Sequence, residues 1–261
     1  VPQHPSWVGM LKHCELVGRS CYRTESKISD ESYIPFISGL VKRHHCSPLE
    51  HGTVYLTIPT SHPSHGKIRD FFSSNHYSHV VVDVDETLYI TTNYRVYVEN
   101  KLDTAPGWNL YDYWSEPTLH DRRYTFRIDC PIEVYKDLQR HRPVSPMIES
   151  TRYCAYSGEK FSHSVTFSTP KWVLPEHQDE WDRRVQTSED NYFWALEQGY
   201  KPEEASYFLI QGTHALCFFT GFLCDWRHLL DLRYHECTGP VRPDVKECTT
   251  YIYNALRGIT D

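Results

Sequence analysis

The sequence predicts an α+β fold, a mixed or antiparallel sheet flanked by helices with an inserted strand-rich middle region. Apolar residues at helical spacing dominate both ends, β-branched and aromatic runs crowd residues 80–130, and the two patterns are segregated rather than alternating. No internal repeat, low-complexity tract or Gly/Ser linker marks a boundary, so residues 1–261 read as one domain elaborated over 80–130.

Residues 7–22 place Val8, Leu11, Leu16 and Val17 at helical spacing, and residues 31–44 do the same with Ile34, Ile37, Leu40 and Val41. Gly52 to Ile58 alternates Val54, Leu56 and Ile58, a strand pattern closed by Pro59. Residues 61–79 are rich in His, Ser and Asn and read as a loop with a short helix around Ile68–Phe72. Val80–Val82, Leu88–Ile90, Tyr94–Val98 and Tyr124–Ile128 have strand composition. Between the last two, the Trp-, Tyr- and Pro-rich stretch Leu102 to His120 reads as a surface excursion. Pro131, a favoured first helical residue, opens a helix over 131–142 with Ile132, Tyr135 and Leu138 along one side. Short strands at Val165–Phe167 follow, then a polar helix over 177–198, a hydrophobic helix from Pro202 to Phe222, and another from Asp225 to Arg233.

Composition narrows the function classes. With 39% apolar and 23% charged residues the chain can bury a core. No window approaches the ~18–20 apolar residues of a membrane span, so no membrane partner is expected. Val1–Pro5 carry neither the basic nor the apolar region of a secretory signal. A formal charge of −7 argues against a partner that is a nucleic acid polymer. Nine cysteines without a CxxC pair read as reduced thiols of a cytoplasmic protein, most of them small core residues. The 19 tyrosines and 7 tryptophans suit flat ligands as well as an aromatic core. His45 and His51 are close enough to suggest a metal, but no third and fourth ligand falls at a recognisable spacing, so none is expected.

The densest cluster of chemistry is Arg140-His141-Arg142-Pro143-Val144-Ser145-Pro146-Met147-Ile148-Glu149-Ser150-Thr151-Arg152-Tyr153, opening where a helix ends. Guanidinium groups are permanently charged bidentate donors and suit phosphate. A solvated basic loop has the same composition, because cations are favoured at a helix C-terminus.

Arg-His-Arg, seven residues, Ser, and Arg-Tyr two residues later resembles the diagnostic motif of the flavin-dependent thymidylate synthases. His45-Cys46-Ser47-Pro48-Leu49-Glu50-His51 is similar to that family's His-x-Ser/Thr-Pro-x-Glu-His. Thr91-Thr92-Asn93-Tyr94-Arg95, Glu149 to Cys154, and Thr220-Gly221-Phe222 with Asp225-Trp226, His228 and Leu232-Arg233 resemble its longer-chain branch. The similarity runs over residues 7–250 in order.

The resemblance implies that a pyrimidine nucleotide, dUMP, is methylated at C5 to dTMP. Methylenetetrahydrofolate donates the carbon, reduced FAD the hydride, and NADPH re-reduces the flavin. It implies flavin contacts at Ser47, Glu50, Arg140, His141, Arg142 and His228, with His45 near the reacting centre. Substrate contacts fall at Asp137, Arg140, Glu149, Ser150, Arg152, Ser206 and Arg233. A homotetramer with shared active sites is implied too. Arg233 matches the arginine facing the pyrimidine and lies on one helical face with Trp226, Leu229 and Leu230. A guanidinium there is costly without an anion. A ring deprotonated at N3 would serve, and so would a buried salt bridge to Asp225, Asp231 or Glu236.

Two departures stand out. Ser206 replaces an arginine that helps hold the nucleotide, and Asp137 replaces a glutamine three residues before Arg140. A carboxylate only accepts hydrogen bonds, so beside the base it would favour an amino donor. Methylation or hydroxymethylation of dCMP or UMP, and an inactive nucleotide- or RNA-binding relative, are therefore alternatives. Arg227, Arg242 or a neighbouring subunit could compensate the charge.

Overall fold

The computed structural model describes residues 1–152, 154–156 and 164–260. Helix α1 (Trp7–Cys21) starts at Ser6, whose hydroxyl accepts the Gly9 N–H at 3.1 Å. Its buried stripe is Met10, Cys14, Val17 and Cys21, whereas Val8 is exposed, so the inward face is rotated from the expected one and uses cysteines as core residues. Helix α2 (Tyr33–Lys42) buries Ile37 and Leu40 against α1 and leaves Ile34 in solvent.

Strands β1 (Thr53–Ile58), β2 (His79–Val82) and β3 (Leu88–Asn93) form an antiparallel sheet in the order β1-β3-β2, with helix α3 (His65–Ser74) between β1 and β2. The expected strand at Tyr94–Val98 is instead helix α4 (Tyr94–Glu99). The Asn93 side chain accepts the Val96 N–H at 2.9 Å, and this cap, with an Arg95–Glu99 pair one turn apart, overrides local β-propensity. The stretch Leu102 to His120 is no surface excursion. Leu102, Leu110 and His120 are buried, and Trp114 donates to Pro5 O at 3.1 Å. Trp7 meets Tyr94, Tyr97, Tyr111 and Trp114 edge-on with ring centroids 5.1–5.5 Å apart. Its aromatics therefore close the first core.

The second antiparallel sheet contains β4 (Arg123–Pro131), β5 (Ser145–Ile148) and β6 (His214–Phe222) in the order β4-β6-β5. Residues 80–130 are thus not one insertion, since β2 and β3 complete the first sheet and β4 opens the second. Central strand β6 replaces most of the helix expected over Pro202–Phe222. Only the short helix α7 (Pro202–Ala205) and a 3₁₀ turn, Ser206–Phe208, precede it. Ala215 to Phe222 are buried on both faces, so they form a continuous apolar run whose periodicity cannot separate strand from helix. Of the strands at Val165–Phe167, a single bridge from Phe167 to Thr213 is present.

Helix α5 (Ile132–Gln139) leads towards β5, α6 (Gln178–Glu197) is the expected polar helix, and α8 (Leu223–Arg233) follows β6. Helix α9 (Pro243–Thr260) was not expected. Val245, Thr249, Ile252 and Leu256 form its buried stripe, and it packs on α5 and α8. Among the described residues the nine cysteines are free thiols. No helix there is long and apolar enough to cross a membrane.

A buried polar chain ties the second sheet to α1 and to the 3₁₀ turn Ser47–His51. His51 Nδ1 lies 2.8 Å from Thr220 Oγ1, which lies 2.8 Å from Thr125 Oγ1, itself 3.1 Å from His13 Nε2. Burial pushes both histidines down, His13 to about 4, and the neighbouring cations push the same way.

Candidate functional site

Arg140 caps the C-terminus of α5, and the chain turns through His141 and Arg142 into β5. Arg140 and Arg142 are exposed, whereas His141 is buried, with Nε2 2.9 Å from Asp225 O. Asp225 is held in turn by its carboxylate accepting the Phe222 N–H at 3.1 Å. The His228 ring lies 5.1 Å from that of His141. Burial lowers the His141 pKa, and His228 and Arg233 lower it further against the opposing Asp225 carbonyl. Neutral His141 therefore keeps Nδ1 for another partner. Arg233 is half-buried in the last turn of α8, beyond Trp226, Leu229 and Leu230. Among the described residues it makes no ion pair. Asp225 caps α8, and Glu236 is paired with Lys246. The structure thus brings His228 and Arg233 of α8 near His141, which stands between the exposed Arg140 and Arg142 at the end of α5.

A second group comes from the 3₁₀ turn Ser47–His51 and α4. His45 and Ser47 are exposed, while Glu50 Oε1 accepts from Arg95 Nη1 at 2.6 Å. Arg95 also reaches Glu99 at 2.8 Å, and these groups line a cavity of about 160 Å³ with Tyr77 and Asn93. Arg123 fixes the turn by donating to Glu50 O at 2.9 Å. His51 faces inward to Thr220 rather than toward His45, and its Nε2 is buried without a hydrogen-bond partner. Among the described residues no group of three or more His, Cys, Asp or Glu side chains is arranged to hold a metal ion. Sequence reading assigned no site role to Arg95, although it closes the Thr91–Arg95 block and lies two residues past the strand end.

The rest of the arginine-rich motif forms a third group. Glu149 is anchored through one carboxylate oxygen, while its Oε1 is buried without a hydrogen-bond partner. Its side chain is 1% exposed and accepts from Arg23 Nη2 at 2.6 Å and from the Leu216 N–H at 3.3 Å. The Ser150 N–H donates to Cys21 O at 3.2 Å, which ties the motif to the end of α1. Arg152 Nε pairs with Glu203 Oε2 at 2.6 Å, and the Ser206 hydroxyl donates to Glu203 O at 2.9 Å. The motif's Tyr153 lies outside the described residues. Asp137 does not turn toward the motif either. Arg242, the residue just before α9, grips its carboxylate at 2.8 Å and that of Glu133 at 2.7 Å. The charge introduced by Asp137 is therefore compensated within the chain. Among the described residues no hydrogen bond or ion pair joins the Glu50 group to the Arg140–Arg142 group.

Residues 108–249, just over half of the chain, match the family described as thymidylate synthase complementing protein. The chain belongs to this family, the flavin-dependent thymidylate synthases. No curated protein matches the chain. Two solved structures of the UMP/dUMP methylase PolB from Streptomyces cacaoi, bound with 5-Br UMP or 5-Br dUMP, are similar to it. The first is 19% identical with a TM-score of 0.43 and covers 52% of this chain and 68% of that one. The second is 18% identical with a TM-score of 0.43 and covers 61% and 83%.

Proposed function

We propose that the chain methylates the C5 position of a pyrimidine nucleotide, converting dUMP to dTMP with methylenetetrahydrofolate as carbon donor and FAD as cofactor. One observation carries this reading. Arg140, Arg142 and Arg233 sit around His141 and His228 with no carboxylate partner among the described residues, in a chain whose formal charge is −7. Guanidinium groups without a carboxylate partner among the described residues suit the phosphates of FAD and of a nucleotide.

Arg142 and neutral His141 hold the flavin from the end of α5, with His228 beside them, and Arg140 lies between flavin and nucleotide. Ser47 and Glu50 approach the flavin from the 3₁₀ turn Ser47–His51, and His45 stands near the reacting centre. FAD, when bound and reduced by NADPH, supplies the hydride that completes the methyl group. Arg233 stabilises the pyrimidine deprotonated at N3, and the anionic ring is the better nucleophile at C5 toward the folate-borne carbon. Ser150 and Arg152 hold the nucleotide phosphate, with Arg152 exchanging Glu203 for it. Because Asp137 is engaged by Arg242, its carboxylate no longer argues for an amino-bearing base. The separation of these groups on one chain supports a homotetramer in which neighbouring subunits complete each site.

The test is a titration of the purified protein with FAD, followed by mass analysis of nucleotides after incubation with methylenetetrahydrofolate, NADPH and dUMP, UMP or dCMP. Flavin binding and a 14 Da gain on dUMP are expected, as one CH2 is added. Faster turnover of UMP or dCMP would overturn the substrate. Absence of flavin binding would overturn the cofactor and leave a nucleotide-binding relative.

A further inference from the structure

Away from the Arg140–Arg142 cluster, two neighbouring strands and the extended segment beside them place a serine, a histidine and an aspartate in one row. The Ser168 N–H donates to Gly212 O at 2.9 Å and the His214 N–H to Thr166 O at 2.8 Å, so residues 166–168 run beside 212–214. His214 opens β6, opposite Pro131 of β4, and Asp129 lies two residues back along β4 on the same side of the strand. The side chains meet across this framework. His214 Nδ1 lies 2.9 Å from Asp129 Oδ1, and His214 Nε2 lies 2.5 Å from Ser168 Oγ.

The hydrogen-bonding inventory fixes the roles. An ionised carboxylate only accepts, so Nδ1 carries the proton and donates to Asp129. In a neutral imidazole Nε2 is then the acceptor, and the Ser168 hydroxyl must donate to it. That is the tautomer and polarity of a nucleophilic serine with its general base and orienting acid, an arrangement recognised by geometry rather than by chain order. All three residues line a cleft of about 560 Å³ between β4 and α9, walled by Phe126, Ile128, Val134, Ile252 and Ala255. Ser168 is half-buried there, and a second cavity of about 530 Å³, bordered by Trp172 and Trp181, adjoins it and shares Ser168. At the cleft Lys171 is tied to Glu247 at 2.9 Å, and Arg127 and Asp244 add one charge of each sign, so the site suits an uncharged substrate with an apolar acyl group.

We propose that Ser168, His214 and Asp129 form a second active centre that hydrolyses carboxylic esters with apolar acyl groups. Ser168 Oγ forms a bond to the ester carbonyl carbon as His214 Nε2 takes the hydroxyl proton. The acyl–oxygen bond breaks, and His214 returns that proton to the departing alcohol. Water, deprotonated by His214, then attacks the acyl-serine and releases the carboxylic acid, with the proton going back to Ser168. Asp129 is the positioning residue, holding the imidazole tautomer. None of this depends on the nucleotide reading, because the cleft shares no residue with the arginine site.

The experiment treats the full chain with a fluorophosphonate probe, maps the adduct by peptide mass spectrometry, and measures p-nitrophenyl butyrate hydrolysis with and without FAD. An adduct on Ser168 is expected, with hydrolysis falling at least about a hundredfold in Ser168→Ala and His214→Gln while their melting temperatures stay near that of the parent. Asp129→Asn should slow labelling without changing the labelled residue. Lack of any Ser168 adduct in the folded protein would overturn the proposal, as would ester hydrolysis unchanged in Ser168→Ala.

Discussion

Glu149 belongs to the diagnostic motif, yet the structure gives it a structural task that can be measured. Its carboxylate is 1% exposed and bonded at 2.6 Å to Arg23, whose side chain is 27% exposed. Glu149→Gln keeps the size and the contact with the Leu216 N–H but removes the charge. A hydrogen bond to a charged group contributes about 1.5–3 kcal/mol. The Arg23 side left behind retains some solvent, so the ~3–5 kcal/mol cost of a stranded buried charge is not reached. A loss of about 2 kcal/mol is expected, lowering Tm by about 4–8 °C in a chain of this size. Arg23→Gln should cost more, about 3 kcal/mol, because it strands the more deeply buried partner. Urea unfolding of both single variants and the double variant gives the coupling energy, expected at about 1.5–3 kcal/mol. A coupling below about 0.5 kcal/mol, the range of independent sites, would refute the claim that this pair pins the motif to the turn that follows α1.

Arg233→Ala should keep its melting temperature and FAD content while turnover falls by orders of magnitude, because no protein carboxylate is stranded. Arg233→Lys should rescue poorly, lacking the planar fork, and thermal melts with single-turnover flavin oxidation on both variants check this. The Arg152–Glu203 pair is 64% and 36% exposed and worth at most about 1 kcal/mol, so Glu203→Gln should tighten dUMP no more than about fivefold by calorimetry. Ser206→Arg should tighten it by ~1.5–3 kcal/mol where the guanidinium reaches the phosphate. Burial first, helped by the Arg123 guanidinium, holds His13 at about 4. The unfolded chain then binds the proton more readily between about pH 6.5 and 4, so stability is full above that window and falls through it as pH drops. Urea unfolding at pH 7.5 and 5 should show a loss of about 2 kcal/mol from this group, absent in a folded His13→Gln variant.

Helices α1, α2, α5, α6 and α8 and strands β1 to β4 were legible because each writes a periodic pattern or a β-rich run that one local rule can read. The motif from Arg140 to Tyr153 was legible for another reason, since it is a contiguous run of residues that resembles a family pattern. Strand β6 escaped because burial on both faces erases alternation, and α4 because one Asn93 cap outweighed the propensity of Val96 and Val98. Helix α9 was overlooked although Pro243 and the stripe Val245, Thr249, Ile252 and Leu256 announce it.

Composition and order alone determined the α+β class, the family and the identity of the arginines. Only the tertiary structure decided which of those charges are free. Glu149 is spent on Arg23, Asp137 on Arg242 and Glu50 on Arg95, over separations of 126, 105 and 45 residues. It likewise brought Ser168, His214 and Asp129 into one row from three separate segments. Partners so far apart meet only when strands take their register, and no local pattern in the chain encodes that register.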